Sequence, residues 1–102
     1  MIIIMDELRR LYIEIGKKVQ KYDYDGYTGI LKTIMSQIKC IDSDEDYTLK
    51  KEYLKESYSE IFGYRGGLGN FIINEEDDEL RDKLNVEFLD NVDKIRRILN
   101  NL

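Results

Sequence analysis

Histidine is absent from this chain of 102 residues and cysteine occurs once, as Cys40. The side chains that most often act as general base, nucleophile or transition-metal ligand are therefore nearly missing. Three spacings could still carry chemistry. Asp42, Asp44 and Asp46 alternate like the oxygen ligands of the first half of a calcium loop. Tyr47 stands where that loop requires glycine, however, and Tyr53 where it requires a bidentate glutamate, so capping of a following helix is the better reading. Gly67-Leu-Gly-Asn-Phe-Ile carries the first two glycines of a dinucleotide fingerprint, but Ile72 takes the place of the third and no strand-then-helix unit surrounds it. The third spacing is Glu75, Glu76, Asp77, Asp78 and Glu79 with Asp82, six acids in eight residues. Helix-dipole stabilisation accounts for about three of them, because it fades beyond the first turn. The cluster is either a solvated face or a surface for an oppositely charged partner. No carboxylate is placed in an apolar pocket that would raise its pKa for acid–base work. The expectation is a binding protein, not an enzyme, holding no metal or cofactor.

The charge balance gives the partner a sign. Lys and Arg total 16 against 21 Asp and Glu, a net charge of −5. Residues 1–22 hold five bases and three acids, whereas residues 23–102 hold eleven bases and eighteen acids. Nucleic acid is a poor match for that remainder, and a basic protein is its natural complement. Cys40 has no second cysteine to pair with and sits near Ile38 and Ile41, which reads as a buried thiol in a reducing cytoplasm. The opening Met-Ile-Ile-Ile-Met lacks a basic flank and meets Asp6 and Glu7 too early for a signal peptide or membrane span. A soluble cytoplasmic protein is expected.

Four apolar stripes at helical spacing would position these residues. From Ile4 the first runs through Leu8, Leu11, Tyr12, Ile15, Val19 and Tyr22, predicting a helix over 3–21 with Asp6 and Glu7 at its positive end. Gly16 inside it marks a close neighbour. Turn residues at Asp23-Tyr-Asp-Gly-Tyr precede a second helix over 28–40, with Ile30, Leu31, Ile34, Met35 and Ile38 inward. Ser43 and Asp46 have capping-box spacing before a third helix over 46–62, with Leu49, Tyr53, Leu54, Tyr58, Ile61 and Phe62 on its inner side. Gly63 suits a left-handed cap, and the following glycines suit a loop requiring positive φ. Phe71-Ile-Ile reads as a short extended segment docked on the core. Asn74 reads as the N-cap of a last helix over 75–101, carrying Leu80, Leu84, Phe88, Val92, Ile95, Leu99 and Leu102. The fold class is all-α: one compact bundle of four helices, or five if the last breaks at Asn85. The chain is a single domain with one core.

Eight tyrosines remain to be placed. Tyr12, Tyr53 and Tyr58 fit inner faces. Tyr22, Tyr24, Tyr27 and Tyr64 lie in or beside turns, where interface and local packing are equally open readings. From Phe62-Gly-Tyr-Arg-Gly-Gly-Leu-Gly-Asn-Phe-Ile-Ile into the acidic last helix, about residues 53–100, the chain resembles small acidic immunity proteins of contact-dependent growth inhibition and related polymorphic toxin systems. The resemblance implies a protein that binds and blocks a cognate toxin domain, often a basic nuclease. No catalytic signature comes with it. The contact residues expected are Tyr24, Tyr64, Arg65, Asn70, Glu75, Glu76, Asp77, Asp78 and Glu79. Other classes stay open: a small helical adaptor that pairs as a homodimer, or an antitoxin outside the contact-dependent systems.

Overall fold

The computed structural model describes residues 2–63 and 67–102, with side chains from residue 4 onward. Four helices are present, α1 (Ile2–Asp23), α2 (Thr28–Asp42), α3 (Tyr47–Phe62) and α4 (Asp78–Asn100), with 3-10 turns at Asp25–Tyr27 and Leu68–Asn70. No strand occurs among the described residues. The fold class is therefore the all-α four-helix bundle its stripes predict.

α1 is the helix the core is built around. Leu8, Leu11, Tyr12, Ile15 and Val19 recur at steps of three and four, and each is at most 1% exposed. α1 packs on both α2 and α4, and α3 packs on the same two helices, so α2 and α4 occupy opposite corners. Ile34 and Ile41 of α2, Leu54 and Ile61 of α3, and Phe88, Ile95 and Leu99 of α4 complete one core. Gly16 faces α2, but a Cβ there would meet the Ile34 side chain at 3.6 Å, an ordinary contact, so the α1–α2 approach does not depend on glycine. Tyr12 and Gln37 are both fully buried, and the Gln37 amide donates to the Tyr12 hydroxyl at 3.2 Å across the same pair of helices.

Several local expectations are corrected. α1 begins at Ile2, which puts Asp6 and Glu7 beyond its first turn. Ser43 caps the end of α2 and does not open α3: its hydroxyl donates to the Cys40 carbonyl at 2.7 Å and accepts from the Glu45 N–H at 3.3 Å. Asp46 takes the N-cap position of α3 with no side-chain cap bond, so no capping box forms. The buried line of α3 is Leu54, Ser57 and Ile61, which turns Leu49 and Tyr53 toward solvent. Ser57 tolerates burial because its hydroxyl donates to the Tyr53 carbonyl at 2.8 Å. On α2 the buried line is Ile34, Gln37 and Ile41, which leaves Met35 outside. Leu80 is also exposed, at the start of α4.

The end of α3 depends on close approach and not on handedness. Gly63 is extended at φ −69°, ψ 164°, and a Cβ on it would lie 2.6 Å from the Ser59 carbonyl oxygen. Gly67 has φ −101°, and a Cβ there would meet Gly63 and Glu60 backbone atoms at 2.7 to 2.9 Å. Glycine is required at both positions for want of space, whereas the sequence suggested positive φ. α4 starts three residues later than its stripe suggests and runs through Asn85 without a break. Its N-cap is Asp77, whose side chain accepts the Leu80 N–H at 2.9 Å, in place of Asn74.

Candidate interaction surfaces

The segment joining α3 to α4 is fastened by specific ties. The Gly69 N–H donates to the Gly63 carbonyl at 2.9 Å, tying the Leu68–Asn70 turn to the end of α3. Leu68, Phe71 and Ile73 point inward, and the Phe71 ring lies 5.0 Å from Phe88 and 5.5 Å, edge-on, from Tyr27. Ile73 is fully buried, and its backbone finds an unusual partner. Asn85 Oδ1 accepts the Ile73 N–H at 2.9 Å while Asn85 Nδ2 donates to the Ile73 carbonyl at 3.0 Å and to the Arg81 carbonyl at 2.9 Å. One side-chain amide thus supplies what a neighbouring strand would supply, and the extended residue needs no sheet. Tyr22 adds a second clasp, its hydroxyl donating to Glu75. That bond to a carboxylate, with some burial, raises the Tyr22 phenol above its ordinary pKa.

These ties sort the acidic cluster. Glu75 is half-buried and engaged by Tyr22, and Asp77 caps α4. Asp78 pairs with Arg81 at 3.1 Å. Glu76 and Glu79 are exposed and make no ion pair among the described residues. Residues 75–93 together hold nine acids against only Arg81 and Lys83. On α4 the same stretch exposes Val86 and Leu89, each about two-thirds accessible, and Ile72 stands out beside it. Val86 and Leu89 are three apart, so they adjoin on the helix surface, with Asp82 one turn before and Asp90 one turn after Val86. This is an acidic face with an apolar centre.

A second surface has the opposite character. Between α1 and α2 runs an open groove of about 440 Å³ with Tyr12, Ile34 and Ile38 in its lining, flanked by Tyr24, Leu31 and Met35. Tyr24 and Met35 are more than half exposed. Its charged residues are Lys17 and Lys32, and no Asp or Glu lines it. Lys17 keeps only a 4.0 Å contact with Glu14. A further hollow between α2 and α3 is edged by Lys39, Leu49, Lys50 and Tyr53.

The expected contact residues therefore divide. Glu75 to Glu79 lie together at the approach to α4, and Asn70 ends the 3-10 turn before them, exposed. Tyr24 belongs instead to the α1–α2 groove. Tyr64 and Arg65 lie outside the described residues. The sequence reading missed the role of Asn85, which it names only as an alternative break in the last helix, and missed the groove, which no local pattern encodes. Tyr22 was available as a turn tyrosine, but only the fold brings it to Glu75.

Asp42 is drawn to Arg9 at 2.9 Å, away from a common centre with Asp44 and Asp46. No group of three His, Cys, Asp or Glu converges among the described residues. Cys40 is half-buried, and that burial pushes its thiol above its ordinary pKa, which disfavours the thiolate. No described helix is long and apolar enough to cross a membrane. Compared with models of known protein families, with curated protein sequences and with solved structures, the chain matches none.

Proposed function

We propose that this protein binds a basic protein through the acidic face of residues 75–93 and neutralises it, in the manner of an immunity protein holding its cognate toxin domain. The observation that carries the reading is the union of charge and exposed apolar surface on that face. Residues 75–93 carry nine acids and the exposed Val86 and Leu89, with exposed Ile72 just before them, and the start of this stretch is fixed by Asn85, Tyr22 and Asp77. Asp90 and Asp93 are paired with Lys94, Arg96 and Arg97, which leaves Glu76 and Glu79 among its open acids. A pre-shaped acidic surface attracts a basic one at long range and loses little ordering entropy on contact. The resemblance over residues 53–100 supplies the partner class. A toxin nuclease has a basic cleft for phosphates, so an acidic inhibitor competes for the same field.

Co-expression with the C-terminal domain encoded by the neighbouring upstream gene, followed by pull-down and rapid-mixing kinetics, tests the reading. Reversal of Glu76, Asp78 and Glu79 to Lys is expected to slow association about tenfold or more at low ionic strength and to flatten its salt dependence. Capture at the wild-type rate by a folded triple variant removes the acidic face from the interface.

A further inference from the structure

The groove between α1 and α2 has its complement on the opposite corner of the same molecule. Its lining is mostly apolar, with Gln20 and Thr28 as neutral polar side chains, it carries Lys17 and Lys32 and no acid, and no described part of the chain covers it. α4 offers what such a groove accepts: adjacent exposed Val86 and Leu89 with Asp82 and Asp90 on either side, in a stretch of net negative charge. The two carboxylates are held in exposed pairs, with Arg81 at 3.9 Å and Lys94 at 3.2 Å, that a groove lysine can exchange for its own. An amphipathic helix laid in an apolar groove with matched flanking charges is a recurrent recognition mode. Within one chain the two surfaces cannot meet, because α2 and α4 sit at opposite corners of the bundle. A second copy can bring them together.

We propose that the α1–α2 groove is a self-association site that receives the acidic outer face of α4 from another copy of this chain. The contact is heterologous, since each subunit contributes a different patch. It leaves one groove and one α4 face open at the ends of any short assembly, so growth does not stop at a dimer unless a ring closes. Exposed ion pairs alone contribute little, and the association is weak and salt-sensitive, with the apolar residues supplying contact and the charges supplying register. The α4 face is also the one assigned above to a basic partner. On that reading, which this consequence rests on, self-association covers the face until a partner displaces it. The contact itself needs no partner, so the two ideas fail separately.

Sedimentation velocity of the purified full chain over a range of concentrations reads the association directly. At low salt the weight-average mass is expected to rise with concentration above that of one 12.2 kDa chain, and to fall back when salt is added. Two paired variants then assign the surfaces, all at exposed positions. Lys17→Glu with Lys32→Glu makes the groove acidic, and Asp82→Lys with Asp90→Lys makes the α4 face basic. Each variant alone now sets like charges against each other and is expected to weaken self-association at least about tenfold. A one-to-one mixture of the two restores it, because an acidic groove meets a basic helix and a basic groove meets an acidic one. Circular dichroism melts confirm that both variants fold. A wild-type chain that stays monomeric into the hundreds of micromolar at low salt overturns the proposal. So does association that persists in either variant, or a mixture that fails to restore it.

Discussion

The acidic face of residues 75–93 and the groove between α1 and α2 are both exposed, both partly apolar and opposite in charge, yet they are built by different means. The acidic face is anchored by polar ties: Asn85 holds the Ile73 backbone, Tyr22 holds Glu75, and Asp77 caps α4. The groove has no such fastening and is what two packed helices leave between them when one carries Gly16 and the other turns Met35 outward. Substitutions at the ties of the first surface should therefore disturb its shape, whereas exchanges of exposed side chains lining the second should change what it offers. The contrast can be tested by stability measurements before any partner is in hand.

The largest effect is expected at Ile73. It is fully buried where the extended segment meets the core, so Ile73→Ala removes burial and leaves a cavity, at a cost of about 2–5 kcal/mol. Urea unfolding monitored by circular dichroism gives the value. A cost below about 1 kcal/mol would mean that the segment is only loosely docked and that the acidic face is not pre-shaped.

Asn85 comes next. Asn85→Ala leaves the Ile73 N–H and carbonyl without their partner in a partly buried place, and the expected loss is about 1–3 kcal/mol. Hydrogen exchange should place the new weakness in residues 71–77 and leave α1 and α2 protected. Asn85→Asp is informative beside it. The carboxylate can still accept the Ile73 N–H but has no amide to give the two carbonyls, so it should recover part of the loss and not all.

How much of this was readable in advance follows from the range of each interaction. The helices α1 and α2 and the last stripe of α4 were legible because burial in a bundle imposes a three-and-four spacing on neighbours in sequence. α3 was misread at Leu49 and Tyr53 because its buried line passes through Ser57, a residue satisfied by its own helix. The acidic cluster was visible as composition, but its division into structural acids and open ones was not. Tyr22 and Glu75 are 53 positions apart. Asn85 and Ile73 are separated by twelve, and a helix-interior asparagine carries no sign that its amide serves an extended segment. The groove has no sequence signal, because it is the gap between two stripes and not a property of either.

Two glycines sharpen the comparison by responding in opposite directions. A Cβ at Gly67 would overlap backbone atoms of Gly63 and Glu60, and Gly67→Ala should destabilise by about 1–3 kcal/mol as the loop gives way. At Gly16 the added Cβ makes ordinary contact with Ile34, and alanine suits a helix interior better than glycine by about 0.5–1 kcal/mol. Gly16→Ala should thus stabilise the protein. Opposite shifts in the denaturation midpoint, the larger at Gly67, would fit the contrast between a crowded turn and an open groove. Loss of stability at Gly16 would mean that α1 and α2 pack more tightly than their groove suggests.

The smallest effect belongs to Tyr22→Phe, and its pH dependence identifies it. Below pH 10 the Tyr22 phenol is protonated whether the chain is folded or not, and the hydrogen bond to Glu75 contributes its full stabilisation. The folded phenol has a raised pKa. As pH climbs past about 10, the unfolded phenol loses its proton first, the unfolded state falls in free energy relative to the folded one, and stability falls. Above the folded pKa the contribution is gone. Burial raises the Tyr12 phenol in the same direction, so the wild-type chain should lose stability in alkali for a reason unrelated to Tyr22. The difference between wild type and Tyr22→Phe removes that confusion, because Tyr12 is present in both. It should be constant from neutral pH to about 9 and shrink from about 10 upward. A difference that stays flat to the alkaline limit of reversible unfolding would assign Tyr22 to packing alone, and the acidic face would lose one of its fastenings.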